Sequence, residues 1–153
     1  LYYDLWLIRN NNNNIITINI TIMTDWRNIT WIMLHTYTVK IKADIVISNI
    51  NDIKKFLYLV INSLPCTFCV QKSNKYFNQH ISSIIDKSSL ILFMYNFHNM
   101  VNLELNKQQF NYLLIDRYYL TNREEIFNLF NNLTSYNNDI KLQLLNNNNW
   151  FDE

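Results

Sequence analysis

Apolar residues along most of this chain return at helical spacing, and there is little strand signal. From Thr24 to about Lys42, Trp31, Leu34 and His35 fall at i, i+3 and i+4 and share one face of a helix opened by Thr24 or Asp25. The stretch Ala43 to Ser48 is short and rich in β-branched residues, and reads as an extended link or a frayed continuation. Ile53, Phe56, Leu57, Val60, Ile61 and Leu64 then mark a core-facing helix, capped by Asn51 or Asp52 and ended by Pro65. Pro65 also suits the first turn of the next helix, Cys66 to about His80. From about Lys87 to Leu105 a stripe of Leu90, Met94, Phe97, Val101 and Leu105 predicts a fourth long helix. A further helix starts at Thr121, with Glu124 completing a capping box and Ile126, Leu129, Phe130 and Leu133 as its apolar face. It is expected to pack across the others, and the Asn-rich end to fray. The pattern predicts an all-α fold, a four-helix bundle with a short extra helix.

Composition narrows the choice of chemistry. The 153 residues are 49% hydrophobic and 15% aromatic, enough for one domain with one buried core. Thirteen basic and 12 acidic residues leave a net charge of +1 without a basic block, which gives no reason to expect a nucleic-acid groove or a membrane-surface patch. The chain has no glycine, which argues against phosphate-cradling loops and the Gly-x-Gly-x-x-Gly turn. Asparagine, abundant here, can take over some left-handed turn and cap positions. Sequons at Asn19, Asn28 and Asn132 arise by chance in so Asn-rich a chain. Arg9 and the run Asn10 to Asn14 interrupt the apolar residues of the first segment short of a membrane span of ~20 residues. Met23 stands directly before the first motif, so residues 1–22 are expected to be upstream read-through or a loosely held extension.

The two cysteines, Cys66 and Cys69, follow the single proline in Leu64-Pro65-Cys66-Thr67-Phe68-Cys69. At i and i+3 of a helix their Cβ atoms lie ~5–6 Å apart, so a small adjustment brings them into disulfide range. At a helix N-terminus the free N–H groups and the macrodipole favour the thiolate. The pair can therefore cycle between dithiol and disulfide. Zinc is a competing reading, but with His80 and His98 the spacing Cys-x2-Cys-x10-His-x17-His fits no common finger, and no metal is expected. A thioredoxin-like fold would want alternating strands and a second proline. Two cysteines spaced by chance are the remaining alternative.

Two other segments stand beside the pair in chain order. One is Trp26-Arg27-Asn28-Ile29-Thr30-Trp31-Ile32-Met33-Leu34-His35, and the other is Phe97-His98-Asn99-Met100-Val101-Asn102-Leu103-Glu104-Leu105-Asn106-Lys107. Taken singly, each has an ordinary explanation: Trp31 as core, His35 and His98 as satisfied half-buried histidines, the asparagines as solvated face. As an ordered set with Pro65-Cys66-x-x-Cys69 they resemble the Trp-Gly-x-x-x-Trp-x-x-Leu-His, Cys-x-x-Cys and His-Asn-x-Val-Asn motifs of the Erv/ALR flavin-linked sulfhydryl oxidases. The resemblance covers about residues 24 to 112, within a domain taken as 23–117, followed by a C-terminal helix and Asn-rich tail at 118–153.

That resemblance implies a four-helix bundle holding FAD, usually as a homodimer. It implies that Cys69 lies against the flavin ring and that Cys66 is the outer sulfur that meets a dithiol client or redox-shuttle protein. Trp31 and His35 would line the flavin, His98, Asn99, Val101 and Asn102 would surround the adenosine half, and Lys107 would sit near the phosphates. Electrons would pass from client dithiols through the pair to FAD and then to molecular oxygen, giving hydrogen peroxide. The alternative is a helical interaction module of the same fold without FAD. Short members of this kind are encoded by large DNA viruses, which implies an intracellular location, host cytoplasm or virion. The chain also departs from the pattern. Many members carry a second, structural Cys-x16-Cys disulfide, and the matching positions here are Tyr95 and Tyr112. Arg27 replaces a glycine, Phe93 a tryptophan, and Asn106 the glycine before the lysine.

Overall fold

The computed structural model describes residues 26–133 and 138–152. The extension at 1–22 and the helix opening at Thr24 or Asp25 lie outside them, as does the side chain of Leu133.

The central element is α1, Trp26–Lys40, in which every residue from Asn28 to Lys40 except Trp31 is buried. A helix without a solvent face must satisfy its polar side chains inside the protein. Thr30 Oγ1 donates to the Trp26 carbonyl at 2.6 Å and Thr38 Oγ1 to the His35 carbonyl at 3.0 Å. Thr36 pairs with the Thr121 hydroxyl at 3.0 Å. The backbone of α1 is thus its own main sink for buried hydroxyls.

Its neighbours are α5 (Lys87–Glu104), a 3-10 segment at Tyr112–Leu120, and α6 (Arg123–Leu133). On the other side α3 (Ile50–Asn62) pairs with α4 (Thr67–His80), and α4 with α5. The Tyr37 and Phe56 rings, 4.6 Å apart, tie α1 to α3. Helices α1, α3, α4 and α5 make the expected all-α bundle. Among the described residues there is no strand, only an isolated bridge between Ile41 and Phe151.

That bridge explains one correction to the pattern. Ala43–Ser48 is a separate short helix, α2, because α1 stops at Lys40 instead of Lys42. The backbone there turns to the C-terminal segment: Lys42 N–H donates to the Trp150 carbonyl at 2.8 Å, and Asp152 N–H to the Lys40 carbonyl at 2.7 Å. Periodicity reads contacts along one helix and is blind to such a distant partner.

The helix ends differ from expectation in the same way. Neither Asn51 nor Asp52 caps α3, which begins earlier, at Ile50. Pro65 lies outside the first turn of α4, since Cys66 is the N-cap. In α5 the stripe holds for Leu90, Met94 and Phe97, all buried, and loosens at half-buried Val101; Leu105 lies beyond the helix, 51% exposed. α6 is capped by Asn122, whose Oδ1 accepts from Glu125 N–H at 3.0 Å. Thr121, the expected cap, instead donates its hydroxyl to the Tyr118 carbonyl.

The described part of the Asn-rich end is folded onto the core instead of frayed. α7 (Asn138–Asn146) buries Ile140 and Leu144, a 3-10 turn covers Asn148–Trp150, and Phe151 is buried. Phe151 packs edge-on against Tyr37 at 5.3 Å and Phe127 at 5.4 Å.

Candidate active site

Cys66 and Cys69 form a disulfide with a Cα–Cα distance of 5.2 Å, and both residues are half-buried. Cys66 caps α4 from an extended backbone (φ −154, ψ 103), and its Sγ accepts from Cys69 N–H at 3.2 Å. A sulfur in a cap position faces N–H groups that have no partner within the helix. The first turn carries no acidic residue to offset the dipole. The local field therefore favours negative charge on sulfur once the disulfide opens.

Two helical turns further along α4, about 10 Å, Tyr76 packs on Phe97 with ring centroids 5.6 Å apart. Phe97 in turn lies 5.3 Å from Trp31. Here α1 and α5 bring the other predicted residues together. His35 is completely buried, and its Nε2 lies 2.8 Å from Nδ1 of His98, 63 residues away in sequence. Trp31 stacks flat on His98, with centroids 3.9 Å apart and planes 9° from parallel. Phe110 lies 5.3 Å from each imidazole, and Tyr118 stacks on His35 at 4.6 Å.

Both histidines are held neutral. Burial pushes His35 well below the usual imidazole range, with the neighbouring His98 acting in the same direction. Burial lowers His98 to about 3, helped by the positive charge of Lys107. Two neutral imidazoles share one proton in their hydrogen bond, and either tautomer leaves the other nitrogen of His35 to be satisfied elsewhere. Nδ1 of His35 is buried without a hydrogen-bond partner. A buried polar atom left in that condition costs ~1–3 kcal/mol. A polar group of a bound ligand would remove that cost.

The rest of the predicted set divides. Asn99 is committed to the fold, because its amide donates to the Phe110 carbonyl at 3.1 Å and accepts from Phe110 N–H at 2.7 Å. It thereby holds Phe110 against the histidines. Asn102 is buried and Val101 half-buried on the same helix. Lys107 follows a helix end built on Asn106, which takes φ 53 in the left-handed region. Lys107 N–H donates to the Asn102 carbonyl at 2.8 Å and Asn106 N–H to that of Leu103 at 3.1 Å, the paired bonds of a Schellman turn. The substitution for glycine at Asn106 is therefore tolerated, and the turn brings Lys107 close enough for its charge to act on His98.

The sequence reading passed over Phe110 and Tyr118. Tyr118 lies three residues after buried Ile115 behind an Asn111 cap, a 3-10 spacing that helical periodicity does not detect. Beside this nest an open cleft of about 780 Å³ runs between α4 and α5, lined by Tyr76, Asn96, Asn99, Met100 and Gln109 among others. Of the predicted residues only Asn99 reaches it.

The sequence model of the Erv1 / Alr family matches residues 28–120, which take in the disulfide, the imidazole pair, Phe110 and Tyr118. The mitochondrial FAD-linked sulfhydryl oxidase ERV1 of Saccharomyces cerevisiae is 26% identical over 80 residues, 52% of this chain. The chain spans only 42% of that protein's length. No solved structure matches it. With more than half of its residues matched, and the helices that hold its disulfide and its buried imidazoles inside the match, the chain belongs to the Erv1/Alr family.

Proposed function

We propose that the chain is an FAD-dependent sulfhydryl oxidase, which oxidises protein dithiols through Cys66 and Cys69. The observation that carries this reading is the disulfide at the N-terminus of α4, with Cys66 as the cap, in a chain of this family. A client thiolate attacks Cys66 Sγ, a mixed disulfide forms, and Cys69 leaves as a thiolate. Cys69 lies in the first turn of α4, where the dipole stabilises that charge. The second client thiol then displaces Cys66 and leaves as the client's new disulfide. FAD, when bound, supplies a two-electron acceptor that molecular oxygen restores with release of hydrogen peroxide.

The residues suit such a group. His35 offers a buried nitrogen that lacks a partner, Trp31 a half-buried indole, and Lys107 a cation beside the nest. Trp31, His35, His98, Asn102 and Lys107 would hold it, with Val101 lending apolar surface. Asn99 acts through Phe110, which its two bonds keep in position. Neutral imidazoles bring no charge to the site and can each donate one hydrogen bond and accept one. A dithiol client and a homodimer complete the proposal. A helical interaction module without FAD is the alternative.

The test is purification of the full chain with added FAD, followed by oxygen consumption with dithiothreitol. Absorbance near ~450 nm, a property of bound flavin, and one peroxide per dithiol oxidised are expected. Cys66→Ser and Cys69→Ser should each lose turnover by at least ~100-fold, with a mixed disulfide accumulating only in Cys69→Ser, where the resolving thiol is gone. Folded protein that takes up no flavin, or full activity in either variant, overturns the reading.

A further inference from the structure

Phe68 lies between the two cysteines, in the first turn of α4, and is 61% exposed. A large apolar ring left in water inside a disulfide loop contributes little to the core, and among the described residues no other aromatic ring packs on it. One face of the ring carries the Lys72 ammonium, 5.5 Å from the centroid. Lys72 is also held by Glu104, with Nζ 3.2 Å from Oε2. The ion pair has two effects here. It fixes a cation over one side of the ring, and it cancels the charge that the cation would otherwise present to a client. On either side of Glu104, Leu103 and Leu105 are 58% and 51% exposed.

We propose that Phe68 is the client-docking residue, taking an apolar side chain next to the client's reactive cysteine. This rests on the oxidase reading only so far as Cys66–Cys69 exchanges with client thiols. For exchange to occur, the client's sulfur must come within bonding distance of Cys66 Sγ. The residues flanking that sulfur must then cross the surface bracketed by the disulfide, where Thr67 and Phe68 are exposed. Phe68 is the one of these with enough apolar area to gain by being covered. The partner is thus a polypeptide dithiol with an apolar residue beside cysteine, and not a small thiol.

The exchange balances without any further reagent. One client thiolate attacks Cys66 Sγ as the Cys66–Cys69 bond breaks, and Cys69 departs with the electron pair. The second client thiolate attacks the client sulfur of the mixed disulfide and releases Cys66. The client loses two electrons and two protons, and the protein's pair gains them.

The test measures single-turnover reduction of the Cys66–Cys69 disulfide in the full chain without oxygen, by quenching and counting protein thiols. Three reductants are compared: dithiothreitol, a dithiol peptide with leucine beside each cysteine, and the same peptide with serine there. The native protein should react about 10-fold faster with the leucine peptide than with the serine peptide, the factor that ~1.4 kcal/mol of covered apolar surface gives. Phe68→Ser should lose that preference, Phe68→Leu should keep most of it, and the dithiothreitol rate should stay within about twofold in both. No preference in the native protein, a preference that survives Phe68→Ser, or equal slowing with dithiothreitol overturns the proposal. Normal exchange without peroxide formation in air would overturn the oxidase reading and leave the docking role standing.

Discussion

Two aromatic clusters sit on the same helix barely a turn apart, and they are built to different ends. Around Tyr37 the rings of Phe56, Phe127 and Phe151 close a hydrocarbon core, with centroids 4.6 to 6.5 Å from Tyr37. Around His35 the rings of Trp31, His98, Phe110 and Tyr118 pack as densely, but enclose two imidazoles and one nitrogen without a partner. Both clusters exclude water. The first is built mainly of hydrocarbon rings, with the Arg123 guanidinium over Phe127 and Phe151, while the second centres on two imidazoles whose burial carries a desolvation cost. Equal burial can thus surround an apolar centre or a polar one, and the paired imidazoles mark the second.

The comparison breaks most visibly if the Tyr37 cluster is truncated. Phe56→Ala should cost about 3–5 kcal/mol by urea unfolding, the usual range for an aromatic ring lost from a packed core. A loss under ~1 kcal/mol would mean that the Tyr37 cluster is not a stabilising core.

A smaller effect, of opposite kind, comes from acid. Burial lowers the folded-state values of both histidines, that of His98 to about 3, while the unfolded chain titrates near ~6.5. The unfolded state therefore takes up protons that the folded state refuses. Stability from this source is complete above pH ~6.5 and falls as pH drops toward the folded values, at up to ~1.4 kcal/mol per pH unit for each histidine. The variant carrying both His35→Phe and His98→Phe should lose this part of the acid sensitivity and stay within ~1–2 kcal/mol of the native protein at pH 8. Parallel curves of stability against pH for the two proteins would refute neutral burial of the pair.

The smallest effect sharpens the contrast at the protein surface. Tyr95 and Tyr112, the positions where the family resemblance implies a second cysteine pair, meet edge to face at 5.0 Å. Tyr112→Ala should cost about 0.5–1.5 kcal/mol, with most of that recovered as coupling in a double-mutant cycle with Tyr95→Ala. No coupling would mean that the two rings are neighbours only.

Much of the fold was legible in the sequence because its helices bury stripes: Ile53, Phe56, Leu57, Val60 and Ile61 read correctly from spacing alone. What spacing could not give was any feature decided by a distant partner. α1 ends where the C-terminal segment takes its backbone groups, and Thr121 leaves its cap to bond Thr36, 85 residues away. In the candidate site, His35 and His98 could be named from the resemblance, but their direct contact could not. Tyr118 was missed because a 3-10 spacing hides its inward face, and Phe110 because it stands outside any helix, held in place by Asn99.

Asn106, the one residue at positive φ among those described, points to a property of the chain before it folds. With no glycine anywhere in 153 residues, the unfolded ensemble is narrower than that of an ordinary sequence, by ~0.4–1 kcal/mol for each turn position where a glycine would otherwise stand. A structural cross-link acts on that same ensemble, typically for ~2–4 kcal/mol. A chain without glycine, with tyrosines at the positions where the family resemblance implies a second bridge, has less disorder to give up on folding.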